Sequence, residues 1–160
     1  FAALALLGCL FASAADPAEP FAIDLEVRAG KASQTAHAES AAPDAKPQER
    51  AVLEVKAGDR ITVQWKLKNT DAAAKLEDVT VHFFAVREEA VGRPAGKKLT
   101  KGVIAESALS MDFGPGDKNE GELNFTIDNP GVYLFRVETL GAVAGPAGHE
   151  SFAALDVKAR

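Results

Sequence analysis

From Arg60 to Asn69 the chain reads RITVQWKLKN, and apolar and polar positions alternate without a break. A period of two places Ile61, Val63, Trp65 and Leu67 on one side of an extended strand and Thr62, Gln64, Lys66 and Lys68 on the other, so Trp65 is predicted at the centre of a core. Phe21 to Arg28 repeats the pattern, with Ile23, Leu25 and Val27 opposed by Asp24, Glu26 and Arg28. From Leu76 to Glu88 the alternation changes character. Val79, Val81, Phe83 and Ala85 make one face, and Thr80, His82, Phe84 and Val86 make a second that is also largely apolar. A strand apolar on both faces lies centrally in its sheet or is covered on both sides.

A further strand runs through Val132–Glu138. Tyr133, Phe135 and Val137 share its inner face, Arg136 and Glu138 are expected to stay wet, and Leu134 half-covers the second face. Pro130-Gly131 just before it suits a type II turn, Pro presetting φ and Gly accepting φ > 0. Weaker signals give strands at 51–57 with Leu53 and Val55 inward, and at 123–127 through Leu123, Phe125 and Ile127. Phe152, Leu155 and Val157 are expected to close the domain over 151–158. Residues 103–113, where Ile104 combines with Met111 and Phe113, read as a bent or edge strand. The sum is an all-β antiparallel sandwich of seven to eight strands.

Between strands the composition changes. Residues 29–50 hold Ala, Ser, Lys, Glu and two Pro with no apolar residue larger than Ala, too little to offset the entropy of ordering, so a flexible loop is predicted. Residues 90–102 form a second loop carrying Arg93, Lys97, Lys98 and Lys101, and GAVAGPAGHE a third. No repeat is visible, and residues 16–160 read as a single domain.

The first fifteen residues, FAALALLGCLFASAA, carry no charge and stop at Asp16-Pro17. They read as the apolar core and small-residue cleavage region of a secretory signal whose front is missing, since neither a basic n-region nor an initiator Met is present. Leu6-Leu7-Gly8-Cys9 is similar to a bacterial lipobox, in which Cys9 would be lipidated and anchor the protein to the envelope. Ordinary cleavage is the preferred reading because Leu10 and Phe11 continue the apolar run. On that reading the mature chain is secreted or periplasmic, has no membrane-spanning segment, and lacks a thiol for disulfides, nucleophilic catalysis or thiolate metal sites.

A formal charge of −5 with mixed signs argues against nucleic acid as a partner, and one Trp and one Tyr supply few stacking platforms. His37 falls in the predicted loop and is expected to be solvent-exposed; His82 is expected to be hydrogen-bonded and partly shielded rather than a metal ligand. His149 and Glu150, at the rim of the third loop, are the one pair singled out as a binding hot spot. Asp117–Glu122 has oxygen ligands beside a Gly, but the spacing misses that of a calcium loop, and an acidic hairpin turn is expected there. Asn124-Phe125-Thr126 matches a glycosylation sequon, yet lies in a predicted strand.

The spacing Asn129-Pro130-Gly131-Val132-Tyr133 resembles the D-x-G-x-Y pattern of immunoglobulin-like sandwiches, which implies that the Tyr133 hydroxyl bonds back to the backbone. Phe135 stands where antibody-type domains carry a cysteine, so the resemblance is to the looser bacterial extracytoplasmic class. VKAGDRITVQW with PGVYLFRVE is also similar to cupredoxins, but blue copper needs a Cys and two His that the mature chain does not assemble. No cofactor is expected. No nucleophile with a positioned base is legible, so the reading is a non-enzymatic binding or structural module that meets another extracytoplasmic protein or a surface polymer through its loops. The alternatives are a small-ligand or metal carrier and an accessory subunit of an envelope assembly.

Overall fold

The computed structural model describes residues 21–38, 49–73, 75–92, 102–141 and 151–160. These form nine strands: β1 (Phe21–Ala29), β2 (Ala32–Ala38), β3 (Val52–Val55), β4 (Arg60–Asn69), β5 (Leu76–Glu88), β6 (Val103–Phe113), β7 (Lys118–Thr126), β8 (Gly131–Leu140) and β9 (Phe152–Ala159). They make a four-stranded sheet in the order β2-β1-β4-β7 and a five-stranded sheet in the order β3-β9-β8-β5-β6. The two pack face to face as an all-β sandwich.

The alternating positions fill the space between the sheets. Ile23, Leu25 and Val27 of β1 and Ile61, Val63 and Leu67 of β4 meet Val81, Phe83, Phe135, Val137, Leu155 and Val157 of the opposite layer. Trp65 lies flat on Phe83 across the gap, centroids 5.5 Å apart and planes 7° from parallel. Phe125 reaches Phe135 at 5.6 Å, and Phe21 meets Phe113 edge-on at 4.9 Å. Each such side chain, fully buried, contributes about 1.5–3 kcal/mol, whereas an exposed ion pair contributes about 0–1, so this core rather than surface charge holds the layers together.

Several expectations are corrected. The ninth strand is β2, inside the 29–50 segment read as a flexible loop. It forms a hairpin with β1, from Ala29 opposite Ala32 to Ile23 opposite Ala38. Strand pairing supplies the order that its small side chains cannot, and Ala36 and Ala38 pack on the core edge. The sandwich is not wholly antiparallel, because β3 runs parallel to β9, Val52 opposite Asp156. Alternation reports which side of a strand is buried, never its direction. The expected acidic turn at 117–122 is strand from Lys118 onward; the turn sits at Gly114–Asp117, where the Asp117 carboxylate accepts the Gly114 N–H at 2.7 Å. Buried Asn69 fastens that turn to the end of β4 by donating to the Gly114 carbonyl at 2.9 Å.

At the start of β8 the Tyr133 hydroxyl donates to the Asn129 carbonyl at 2.8 Å. The turn before it is not type II. Gly131 has φ 159°, close to extended, where that turn asks for roughly +80°, and it already pairs with Ala159. Phe152 does not face the core with Leu155 and Val157. It is an odd number of residues from both and so emerges on the opposite side of β9, 45% exposed.

Candidate functional site

The outer face of the five-stranded sheet, away from the core, gathers a connected set of polar groups. Register puts them there. His82 of β5 lies opposite Glu138 of β8, Phe84 opposite Arg136, and Glu138 opposite Phe152 of β9. On the other flank of β5, Phe84 faces Glu106 of β6. The outward side chains consequently run in a line across four strands.

Along that line every group has a partner. The His82 ring meets Glu106 Oε1 through Nε2 at 2.8 Å and Glu138 Oε1 through Nδ1 at 3.0 Å. The second Glu138 oxygen pairs with Arg136 Nε at 2.6 Å, and the Arg136 guanidinium lies 4.0 Å over the Phe152 ring. Both side chains expected to be wet, Arg136 and Glu138, are therefore largely buried, since each covers the other and Phe152 shields the guanidinium. His82 is partly shielded and hydrogen-bonded, packed 5.2 Å from Phe84.

Beside this line the face is apolar and closed. Phe84, Val86 and Leu134 form a second small buried cluster with Ala154 packed against it, so Leu134 is covered completely rather than by half. Beyond the cluster lies a buried ionic corner. Asp156, with 0% exposure, accepts the Gly92 N–H at 2.7 Å through Oδ2 and forms an ion pair with Arg50, whose Nε lies 3.3 Å from Oδ1, and Arg50 also pairs with Glu88 at 3.1 Å. Arg50 thus ties the segment entering β3 to the end of β5 and the middle of β9. A buried carboxylate without such partners would be strongly unfavourable.

The outer face of the four-stranded sheet differs in kind. It is wet and laced by cross-strand pairs, Gln64 with Glu122 at 2.6 Å and Thr62 with Asn124 at 2.7 Å. Hydrogen bonds from Gln64 and then Asn124 hold the Glu122 carboxyl below its ordinary range, and the Arg28 guanidinium does the same to Glu26. His37, on β2 rather than in a loop, is exposed and pairs with Asp24 at 2.6 Å.

The chemistry open to the His82 line is limited. Its two carboxylates approach opposite sides of the ring, so one metal ion cannot gather both with a ring nitrogen, and among the described residues no cluster of three His, Cys, Asp or Glu has a metal-holding arrangement. Glu120 and Glu122 point outward along β7 instead of converging as calcium ligands would. Thr80 and Ser110, the nearby hydroxyls on this face, bond to each other at 2.9 Å, while both His82 nitrogens are committed to carboxylates. A nucleophile with an adjacent base is not assembled there.

No family model matches the chain, and no curated protein is similar to it. Some solved structures overlap with it in part. The C-terminal domain of Wzt superposes with a TM-score of 0.44 at 7% identity, over 85% of this chain and 70% of that one. The soluble domain of PmoD from Methylocystis sp. gives 0.45 at 17% identity, over 86% and 90%. A β-glucosidase from Listeria innocua gives 0.32 at 14% identity, and the chain spans only 16% of its length. Likenesses of this strength carry no function across.

Of the residues singled out in the sequence, His149, Glu150 and Cys9 lie outside the described residues, as do Arg93, Lys97, Lys98 and Lys101. Trp65, Tyr133 and Phe135 are buried, and Pro130 and Gly131 lead into β8. Sequence reasoning missed Glu106, Glu138, Arg136 and Phe152 as neighbours of His82, because they come from three other strands. Asp156 left a signal: a lone acid in FAALDVKA between buried positions. Gly121, inside a strand, left another.

Proposed function

We propose that this chain is an exported, non-catalytic binding or structural module of immunoglobulin-like architecture, secreted or periplasmic, which contacts a protein or surface polymer through the outer face of its five-stranded sheet. The observation that carries the reading is the His82 line itself: the only histidine in the described part that is shielded is saturated by two carboxylates, and it ends at a half-exposed aromatic ring stacked under an arginine. Arginine and aromatic side chains are the groups on which interface energy concentrates. The uncharged start of the chain, ending in small residues before Asp16-Pro17, supports export, and the Tyr133–Asn129 bond supports the immunoglobulin-like assignment. Among the described residues no helix is long and apolar enough to cross a membrane.

Retention of envelope proteins and surface polymers on the immobilised chain tests the proposal, with Phe152→Ser and Arg136→Ser as variants. Loss of a saturable, specific interaction in both, with unchanged melting of Phe152→Ser, is the expected result. Turnover of a hydrolase substrate that disappears on His82→Gln would overturn it.

A further inference from the structure

The five-stranded layer ends in β6, and that edge is unlike the other three. β3 is four residues long, β2 is seven, and β7 sets Lys118, Glu120 and Glu122 along its outer side. β6 runs for eleven residues, VIAESALSMDF, with no Lys, Arg or Pro, the residues by which edge strands ordinarily resist pairing. Its register with β5 shifts at both ends, between Leu76 and Val79 and between Ala85 and Val86, leaving Ala105–Met111 as an unbroken regular stretch. A layer of five strands also overhangs one of four. Leu109 has the same parity as Met111 and Phe113 and belongs to the core-facing side, yet it is 56% exposed, and among the described residues no strand of the opposite sheet covers it.

We propose that β6 pairs antiparallel with β6 of a second copy of this chain, joining two five-stranded sheets into one of ten strands about a two-fold axis at Ala108. This goes beyond the proposed binding face and does not depend on it. The occupant is argued from charge and register. With Ala108 on the axis, Ser107 of one copy faces Leu109 of the other, Ala105 faces Met111, Glu106 faces Ser110 and Ile104 faces Asp112. No acid lies directly opposite an acid; Glu106 is diagonal to Asp112 of the other copy, but each is paired within its own chain, Glu106 with His82 and Asp112 with Lys75. The two Leu109 side chains become diagonal neighbours over the overhang, where both lose their exposure. The pairing is isologous, so it closes as a dimer instead of propagating. Edge pairing is a small interface, and the dimer is reversible and concentration-dependent.

Sedimentation equilibrium of the full chain over a wide concentration range reads this directly. A monomer–dimer equilibrium is expected, weakened about a hundredfold by Leu109→Lys, since two buried leucines per dimer are exchanged for two charges. Oxidation of Ala108→Cys in a Cys9→Ser chain provides a second reading. Facing residues of antiparallel strands lie about 4.5–5.5 Å apart at Cα, within disulfide reach, so Ala108→Cys cross-links copies and Ser107→Cys does not. A chain that stays monomeric and does not cross-link overturns the proposal. So does a dimer indifferent to Leu109→Lys, or a monomer that accepts only an unrelated peptide strand on β6.

Discussion

Gly121 decides how Trp65 can sit. A Cβ built on that glycine would stand 2.1 Å from the indole Cζ2, well inside contact, so the ring lies directly on the β7 backbone with Phe83 on its other face. Gly121→Ala is therefore expected to destabilise the protein by about 1–3 kcal/mol through overpacking, and to shift the indole emission to the red as the ring is displaced. Urea melts followed by fluorescence measure both, and an unchanged midpoint and spectrum would contradict the packing. Individual residues were unequally legible in the sequence. Trp65 announced its place because its own neighbours alternate perfectly. The glycine that receives it lies 56 positions away on another strand and is tied to it only by register, Trp65 opposite Gly121. Arg136 and Glu138 were misjudged for the same reason: polarity predicts exposure until a partner from the adjoining strand shields the charge.

At the scale of elements, strand existence was written in the chain, while strand order and direction were not. Periodicity found eight of the nine strands, and the one it missed, β2, is held by backbone pairing rather than by large side chains. Charges on the outer strand faces give these elements a pH dependence whose sign is fixed. Arg28 holds Glu26 below its ordinary 4.5, Lys75 and then the Asp78 N–H hold Asp112 below 3.8, and Gln64 with Asn124 holds Glu122 below 4.5. A carboxyl with a depressed native value adds stability above its unfolded value and loses it as pH falls through the native one. Stability is accordingly expected to decline between about pH 5 and about pH 2, and the part owed to the exposed ion pairs to be smaller in high salt. Urea midpoints across that range at two salt concentrations test it. A midpoint that rises on acidification would contradict the assignments.

Taken whole, the molecule carries two quite different outer faces. One is wet and braced by exposed cross-strand pairs; the other is half-buried, with an apolar patch set between a saturated histidine line and an ionic corner. The sandwich class could be read from the sequence because it follows from alternation alone. The face could not, since it is assembled from β5, β6, β8 and β9, whose order is a property of the fold. Its central feature is that both nitrogens of His82 face carboxylates, and the proposed recognition role rests on that commitment. The most direct test is long-range proton–nitrogen NMR of the His82 ring, titrated with equimolar zinc and copper. Both ring nitrogens are expected to report hydrogen bonds and to stay unmoved while the metal is added. A metal-dependent displacement of either nitrogen, abolished by Glu138→Gln, would contradict the account.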